Sequence, residues 1–377
     1  MNFPPLADPP IWQIAKKMDI SVIGASGGCG REIVTRLVSE GVLGRRELLQ
    51  LVGGNPASSR PSYLHGLRAD LQDAYAENIP EIDVTDDADD IVGDIVVMTA
   101  GVTLPIDAAE AGNLQSRDDL AKSNTALFEH FAAAVARNRK GNPPIVIVVS
   151  NPVELGVHVF SRHLPREYVL GMGAFSDSQR FRWEIASQLG VGRQRVHASM
   201  AGEHGLGMVP LWSTVRIHGL QAKELATTIA RLRDGTQSAD YPARLAAEHA
   251  TLMAEMMADP INGPIRALAR VARLPPDLRV ALKPFPVHYS QAKTISATAT
   301  ATVELVTALC QGRAVEICAQ YQHCGELGIH GPVGNRLILE GAVRRVVPGD
   351  DLTEEEIALL QACGTHCVNK IREWTHE

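Results

Sequence analysis

Asp19-Ile20-Ser21-Val22-Ile23 runs directly into Gly24-Ala25-Ser26-Gly27-Gly28-Cys29-Gly30, and this stretch decides the fold. The first five residues are a short β-rich run, and residues 31–40 carry apolar side chains at helical spacing. The order is therefore strand, glycine turn and helix, as at the start of a dinucleotide-binding βαβ unit. Glycines in the turn permit a tight bend and let the backbone approach a pyrophosphate at the positive end of the helix. We expect a nucleotide cofactor to be held by Gly24, Gly27, Gly28 and Gly30.

Three further apolar runs follow, and segments of helical length separate them. They lie at residues 47–52, 94–101 and 144–151. This alternation predicts an α/β fold with a Rossmann-type, doubly wound parallel sheet. From about residue 162, longer helical stretches and short strands replace the pattern, which predicts an α+β domain that binds substrate. We therefore predict an N-terminal arm at 1–17, a dinucleotide-binding domain at 18–161 and a substrate-binding domain at 162–377.

The composition is that of an enzyme-sized globular chain, with 377 residues of which 45% are hydrophobic. Its formal net charge of -7 gives no electrostatic reason to expect nucleic acid or an anionic membrane as a partner. No span reaches the length of a membrane helix, and the proline-rich N-terminus lacks the apolar core of a signal peptide, so we expect a cytoplasmic protein. The six cysteines are too few for a disulfide scaffold, and their spacing to histidines matches no zinc pattern. We expect no metal site.

Two segments in the second half of the chain combine residues of known chemistry. They read Asp177-Ser178-Gln179-Arg180-Phe181-Arg182 and Ala201-Gly202-Glu203-His204-Gly205. A neutral imidazole accepts a proton near pH 7, a buried carboxylate fixes its tautomer, and a guanidinium grips a carboxylate through two hydrogen bonds. Together the two segments resemble the catalytic half of the malate/lactate dehydrogenase family. The resemblance implies that His204 exchanges the substrate proton, Asp177 orients His204 and Arg180 binds the substrate carboxylate.

Further segments extend the resemblance from about residue 19 to the C-terminus. Met98-Thr99-Ala100-Gly101-Val102 resembles the turn beneath the cofactor in that family. Ligands of doubly wound sheets bind at the carboxyl ends of the strands, where this turn is predicted to lie. The resemblance therefore assigns Thr99 and Gly101, together with Asn124, to cofactor binding.

The same resemblance assigns three residues near the substrate. Ser150-Asn151-Pro152-Val153 resembles the turn that places an asparagine, here Asn151, between nicotinamide and substrate. Ser116-Arg117-Asp118-Asp119-Leu120 implies that Arg117 polarises the substrate carbonyl. Ile295-Ser296-Ala297-Thr298 resembles the segment that returns toward the nicotinamide, which implies that Ser296 contacts the substrate.

The chain departs from NAD-using relatives at the end of the second predicted strand. An acidic residue normally accepts hydrogen bonds from the adenosine ribose there, whereas this chain continues into Gly53. The following loop offers no carboxylate to repel a 2′-phosphate, and it carries groups that could bind one, namely Ser58, Ser59 and Arg60. This pattern resembles the chloroplast-type, NADP-using malate dehydrogenases. We predict NADP as the cofactor, with NAD as the alternative.

The loop expected to close over the substrate is a second departure. Residues 103–116 make it about twice the length usual in malate dehydrogenases, and they contain neither lysine nor arginine. Malate dehydrogenases place an arginine early in this loop, because burying an unpaired carboxylate is strongly unfavourable. Its absence predicts a 2-hydroxy/2-oxo acid other than a simple dicarboxylate. Malate is the alternative if the long insert at about residues 219–293 supplies an arginine.

We thus predict an NAD(P)-dependent 2-hydroxy acid dehydrogenase that works as a homodimer or homotetramer. Two other classes stay open. An NAD-dependent glycosidase shares the dinucleotide fold but needs a metal held by cysteine and histidine, and no cysteine adjoins Asn151. A non-catalytic cofactor-binding protein has no physical reason to retain five reactive residues together, namely Arg117, Asn151, Asp177, Arg180 and His204.

Overall fold

The computed structural model describes residues 18–54, 61–102, 117–290 and 292–375, with only the backbone described at 61 and 117–120. The predicted N-terminal arm, the loop at 103–116 and the trio Ser58, Ser59 and Arg60 lie outside the described residues. Across the described ranges, no helix is both long enough and apolar enough to cross a membrane.

The N-terminal half of the chain forms a six-stranded parallel sheet. Its strands are β1 (Ile20–Ile23), β2 (Leu48–Val52), β3 (Glu81–Thr85), β4 (Ile95–Met98), β5 (Ile145–Val148) and β6 (Val169–Gly171). They lie in the order β3-β2-β1-β4-β5-β6, so the direction of winding reverses between β1 and β4. Doubly wound sheets bind their ligands at the carboxyl ends of the strands beside such a reversal. The predicted Rossmann-type sheet is confirmed, with β3 and β6 as strands that the sequence patterns did not reveal.

Helices cover both faces of this sheet. They are α1 (Gly28–Ser39), α2 (Pro61–Ala74), α3 (Arg117–Asn138) and α4 (Val153–His163). The first helix begins at Gly28, earlier than the predicted start at residue 31, because the end of the glycine turn already forms its first turn. Ile33 of α1 belongs to the apolar cluster on one face, and Phe128 of α3 and Phe160 of α4 belong to the cluster on the other. These side chains are fully buried, which contributes about 1.5–3 kcal/mol for each.

The C-terminal half extends the same sheet with antiparallel strands. They are β8 (Met200–Gly202), β9 (Met208–Pro210), β11 (Val315–Cys324), β12 (His330–Leu339) and β13 (Val343–Val346), while β7 (Val196–His197) and β10 (Arg216–Ile217) form a separate pair. β6 pairs with β11 where Gly171 faces Gln320, and the order continues β12-β8-β9, with β13 on β12. The predicted boundary at 161/162 precedes β6, a strand of the parallel sheet, and the division into domains stays a prediction.

The insert predicted at residues 219–293 is helical over its described part and packs against α5 (Gly173–Leu189). Its helices are α6 (Ala222–Arg233), α7 (Tyr241–Ala258), α8 (Gly263–Val271), α9 (Pro276–Leu282) and α10 (Pro284–Tyr289), and α11 (Ile295–Cys310) and α12 (Glu354–Thr375) follow later in the chain. Glu184 of α5 is nearly buried and pairs with Arg279 at 2.8 Å and Lys283 at 2.7 Å. Since a buried carboxylate is stable only when paired, these contacts fix the insert to the helix that carries Asp177 and Arg180.

Candidate active site

A carboxylate, an imidazole and a guanidinium meet beyond the carboxyl ends of the parallel strands. Asp177 and Arg180 lie one turn apart on α5, and His204 lies in the turn between β8 and β9. Asp177 is 1% exposed and accepts a hydrogen bond on each oxygen. His204 Nδ1 lies 2.7 Å from its Oδ2, and Arg180 Nη1 lies 3.1 Å from its Oδ1. The structure therefore brings together the three residues that the sequence assigned to proton exchange and carboxylate binding.

The Asp177 carboxylate sets the protonation state of His204. Because an ionised carboxylate only accepts hydrogen bonds, Nδ1 of the imidazole donates and Nε2 is left to exchange a proton. Burial of His204 opposes its charging, but the charge and hydrogen bond of Asp177, with a further contribution from Glu154, outweigh burial and raise the pKa of His204. A raised pKa keeps the imidazolium populated near neutral pH, which suits proton donation to a carbonyl oxygen.

Glu154, in the first turn of α4, supports the position of His204 and was missed by sequence reasoning. Its Oε1 accepts hydrogen bonds from the His204 backbone N–H at 2.8 Å and from Gln320 Nε2 at 3.1 Å. Gln320 Oε1 in turn accepts from the Ala174 N–H at 2.9 Å. These bonds connect α4, β11 and the start of α5 to the His204 turn. Burial, and then the nearby charge of Glu203, raise the pKa of Glu154 to about 7.

Gly173, the first residue of α5, allows His204 to approach the helix. A Cβ atom built at Gly173 would lie 2.6 Å from both Cβ and Cγ of His204. Carbon atoms pack at about 3.5–4.0 Å, so any side chain at this position displaces the imidazole. The contact with Asp177 therefore depends on a glycine at residue 173.

The glycine turn fits the pyrophosphate of a dinucleotide. Gly24 has a φ of 83°, and a Cβ there would lie 2.6 Å from the Ala100 backbone nitrogen, so a side chain is excluded. Gly27 is the N-cap of α1, and Gly28 and Gly30 lie in its first turn. The N–H groups at the start of a helix bind anions, so the first turn of α1 offers hydrogen-bond donors to a phosphate.

The turns that follow β4 and β5 meet at the same crevice. Asn124 of α3 is buried, and its side chain joins the two turns. Its Oδ1 accepts from the Val102 N–H at 2.7 Å, and its Nδ2 donates to the Asn151 carbonyl at 2.9 Å. Thr99 Oγ1 donates to a carbonyl of β1 at 2.7 Å, and Gly101 follows in the same turn. Asn124 thus positions both turns, whereas its direct contact with a cofactor stays a prediction.

Part of the predicted site lies outside the described residues. Gly53 directly follows β2, and its N–H donates to the Thr85 carbonyl at 2.9 Å. The hydroxyls and guanidinium expected to bind a 2′-phosphate, Ser58, Ser59 and Arg60, are not among the described residues. Arg117 is the first residue of α3, but its side chain is not described. Their contacts with cofactor and substrate stay predictions.

The segment between α10 and α11 borders the glycine turn. Ile295 Cδ1 lies 2.9 Å from the position that a Cβ on Gly28 would occupy. Ser296, predicted to contact the substrate, lies beside it in the first turn of α11. His288 Nε2 at the end of α10 lies 3.3 Å from Thr294 Oγ1, so the end of the insert reaches the same region.

The end of the insert also lies close to the catalytic residues, which the sequence did not reveal. Burial, and then the charges of Arg180, His204 and Lys293, lower the pKa of His288. Lys293 also lowers the pKa of Cys29 in the glycine turn, against the larger effect of burial. The end of the insert therefore lies within electrostatic range of both the catalytic residues and the cofactor cradle.

In the described part of the chain, no group of three or more histidine, cysteine, aspartate or glutamate side chains is arranged to hold a metal ion. The six cysteines are free thiols, and Cys318, Cys363 and Cys367 are buried.

Comparisons with known proteins find relatives among two kinds of dehydrogenase. The sequence profile of the lactate/malate dehydrogenase NAD-binding domain matches residues 18–171. A malate dehydrogenase of Chlorobium phaeobacteroides is 32% identical over 224 residues, which cover 58% of this chain and 67% of that protein. L-lactate dehydrogenase B of Hordeum vulgare is 31% identical over 229 residues, which cover 59% of each protein.

A solved structure shows the same fold over nearly the whole chain. It is the lactate dehydrogenase of Cryptosporidium parvum complexed with lactic acid and β-nicotinamide adenine dinucleotide. The TM-score is 0.71, and the alignment covers 96% of this chain and 99% of that one at 21% identity.

Proposed function

Because this chain belongs to the lactate/malate dehydrogenase family of nicotinamide-dependent oxidoreductases, we propose that it interconverts a 2-oxo acid and a 2-hydroxy acid by hydride transfer. The observation that carries the proposal is the buried Asp177 carboxylate shared by His204, at 2.7 Å, and Arg180, at 3.1 Å. A proton-exchanging imidazole and a carboxylate-binding guanidinium are the groups that this reaction needs from the protein.

The roles of the residues follow from their chemistry. A nicotinamide bound at the glycine turn would supply the hydride for reduction of the carbonyl carbon. His204 donates the proton on Nε2 to the carbonyl oxygen, and Asp177 stabilises the imidazolium that precedes this transfer. Arg180 binds the substrate carboxylate with the part of its guanidinium that Asp177 leaves free, and Arg117 polarises the carbonyl. In the direction of oxidation, His204 accepts the proton of the hydroxyl group.

The turn residues hold the reactants in place. Asn151 and Ser296 border the substrate from the turn after β5 and from the start of α11. The N–H groups of the α1 first turn bind the cofactor pyrophosphate. The cofactor is a nicotinamide adenine dinucleotide. The sequence of Gly53 and the loop after it favours NADP, and NAD is the alternative.

The side chain of the substrate has two candidates. The absence of lysine and arginine from residues 103–116 supports a 2-oxo acid other than a simple dicarboxylate. A specific observation favours malate and oxaloacetate as the second candidate, because the insert brings His288 within electrostatic range of Arg180 and His204, and Lys293 lies within the same range of His288. The Lys293 ammonium offsets part of the cost of burying a second carboxylate, although it is not the arginine expected from sequence.

The two other enzyme and protein classes fit this chain less well. Membership of a dehydrogenase family and the lack of a metal-ligand cluster among the described residues argue against a metal-dependent glycosidase. The shared carboxylate of Asp177 argues against a non-catalytic protein, because a buried charge between two cations has no evident structural need here. Assembly as a homodimer or homotetramer remains part of the proposal, and light scattering of the purified protein measures it.

Steady-state kinetics test the proposed function. Oxidation of NADH and NADPH is followed with a panel of 2-oxo acids that includes oxaloacetate, pyruvate, and branched and amino-bearing members. The proposal predicts turnover of at least one member, with a change in cofactor absorbance that matches formation of the 2-hydroxy acid. Cofactor binding without turnover of any member would support a non-catalytic role instead.

A further inference from the structure

Asp86 occupies the space of the side chain that Gly53 lacks. A Cβ atom built on Gly53 would collide with Asp86 Oδ1, and it would lie 3.4 Å from Asp86 Cγ and 3.5 Å from Asp86 Cα. A carboxylate attached to residue 53 would begin at this same point. The structure therefore places an acidic group at the end of β2 although the sequence has a glycine there.

The pairing of two parallel strands explains this placement. β2 and β3 run in register, with Val52 facing Thr85, and the Gly53 N–H donates to the Thr85 carbonyl at 2.9 Å. Asp86 is the next residue after Thr85, so it lies beside Gly53 at the carboxyl edge of the sheet. Since Gly53 has no side chain, the Asp86 carboxylate can approach the backbone of the neighbouring strand.

The acidic residues that follow Asp86 have other partners. Asp87 Oδ1 accepts from the Asp89 N–H at 2.9 Å and caps a short helical turn. Asp89 pairs with Arg137 at 2.6 Å, and Asp90 Oδ2 accepts from Thr85 Oγ1 at 3.1 Å. Within the described part of the chain, the exposed Asp86 carboxylate makes no hydrogen bond or ion pair. None of the described residues therefore competes with a ligand for this carboxylate.

The location is that of the adenosine ribose in a dinucleotide fold. A Cβ on Gly54 would lie 3.0 Å from Gly24 Cα, so the end of β2 adjoins the turn that fits the pyrophosphate. In this fold an acid at the end of the second strand accepts hydrogen bonds from the ribose hydroxyls, and it repels a phosphate on the 2′ oxygen. Asp86 supplies this acid from the third strand.

We propose that Asp86 binds the adenosine ribose hydroxyls and makes the site selective for NAD over NADP. This proposal rests on the proposed function and reverses the cofactor preference expected from the sequence. The sequence-based expectation took account only of carboxylates that follow Gly53 along the chain, whereas Asp86 lies on the adjacent strand.

Binding of cofactor fragments tests the proposal without turnover. Isothermal titration calorimetry of the full-length protein measures the affinities for ADP-ribose and for 2′-phospho-ADP-ribose. We expect ADP-ribose to bind at least about tenfold more tightly, because one wrongly placed charge at a site built for hydrogen bonds commonly changes affinity by that factor. Asp86→Ala should weaken ADP-ribose binding and lower the ratio of the ADP-ribose affinity to the 2′-phospho-ADP-ribose affinity at least about tenfold.

Matched variants separate the carboxylate from other effects. Asp89→Ala removes a negative charge three residues further along the chain and should leave the affinity ratio unchanged. Asp86→Ala combined with Gly53→Asp moves the carboxylate to the end of β2 and should restore the preference for ADP-ribose. Thermal unfolding of each variant shows whether it is folded. Tighter binding of 2′-phospho-ADP-ribose by the unmodified protein, or an unchanged ratio in a folded Asp86→Ala variant, overturns the proposal. If neither fragment binds the unmodified protein, the proposed function itself fails.

Discussion

Replacing Asp177 by asparagine removes the charge shared by His204 and Arg180 while nearly keeping the size of the side chain. Asp177 is 1% exposed and accepts hydrogen bonds of 2.7 Å from His204 and 3.1 Å from Arg180. A hydrogen bond to a charged group contributes about 1.5–3 kcal/mol. At about 1.4 kcal/mol for each factor of ten, loss of the His204 bond alone corresponds to roughly 10- to 150-fold. We expect Asp177→Asn to lower kcat/KM by about 10²-fold, because the neutral amide also weakens the hold on Arg180.

The same substitution shifts the pH dependence of reduction. Asp177 is the main group that raises the pKa of His204, while burial and the charge of Arg180 lower it. In the variant the lowering effects remain, so the pKa of His204 falls. Reduction needs the protonated imidazole, and activity is lost as pH rises through that pKa. The alkaline limb of the profile should therefore move to lower pH.

Rates of cofactor oxidation with the best 2-oxo acid, measured between about pH 5 and pH 10, give kcat/KM and the position of the alkaline limb. Asp73→Asn, at an exposed position of α2, is the matched control and should leave the profile unchanged. An Asp177→Asn variant that keeps kcat/KM within threefold and shows an unmoved alkaline limb would refute the assignment.

Three further predictions concern other groups of the site. His204→Ala should reduce turnover by about 10²- to 10⁴-fold while cofactor affinity, measured by fluorescence titration, stays near that of the unmodified protein; near-normal turnover would show that another group transfers the proton. Glu154→Gln keeps both accepted hydrogen bonds but removes the charge that Glu154 carries above about pH 7. Because that charge raises the pKa of His204, the alkaline limb of the pH profile of reduction should move to lower pH, with rates unchanged near pH 6. A pH profile equal to that of the unmodified protein would contradict this role. The double variant His288→Gln/Lys293→Gln should lower kcat/KM for oxaloacetate about tenfold more than for pyruvate. Equal losses would show that neither side chain faces the second carboxylate.

The parts of the site that could be predicted from sequence are those set by local spacing. The run from Asp19 to Gly30 predicts strand, turn and helix, because the glycines and the apolar periodicity are neighbours in the chain. Asp177 and Arg180 lie one helical turn apart, and His204 lies in a distinctive glycine-flanked turn. Their residue types limit the chemistry, and the structure brings them within hydrogen-bonding distance.

The parts that could not be predicted depend on contacts between distant segments. β3 alternates exposed and buried positions and contains acidic residues, so no apolar run marks it. Without β3, the position of Asp86 beside Gly53 cannot be inferred. Glu154 likewise acquires its role through the fold, because its bonds to His204 and Gln320 join residues that are far apart in the chain. The approach of His288 to the catalytic residues depends on how the helices of the insert pack.

Transfer of deuterium from the cofactor to the substrate tests the central claim most directly. The protein is incubated with the panel of 2-oxo acids and NADH or NADPH deuterated at C4 of the nicotinamide, using preparations labelled on either face, and products are examined by mass spectrometry and NMR. The proposed reaction predicts a 2-hydroxy acid with deuterium at C2 and a strong loss of this product with His204→Ala. Absence of a C2-deuterated product from every acid and both cofactors, or equal labelling by the His204→Ala variant, would contradict it.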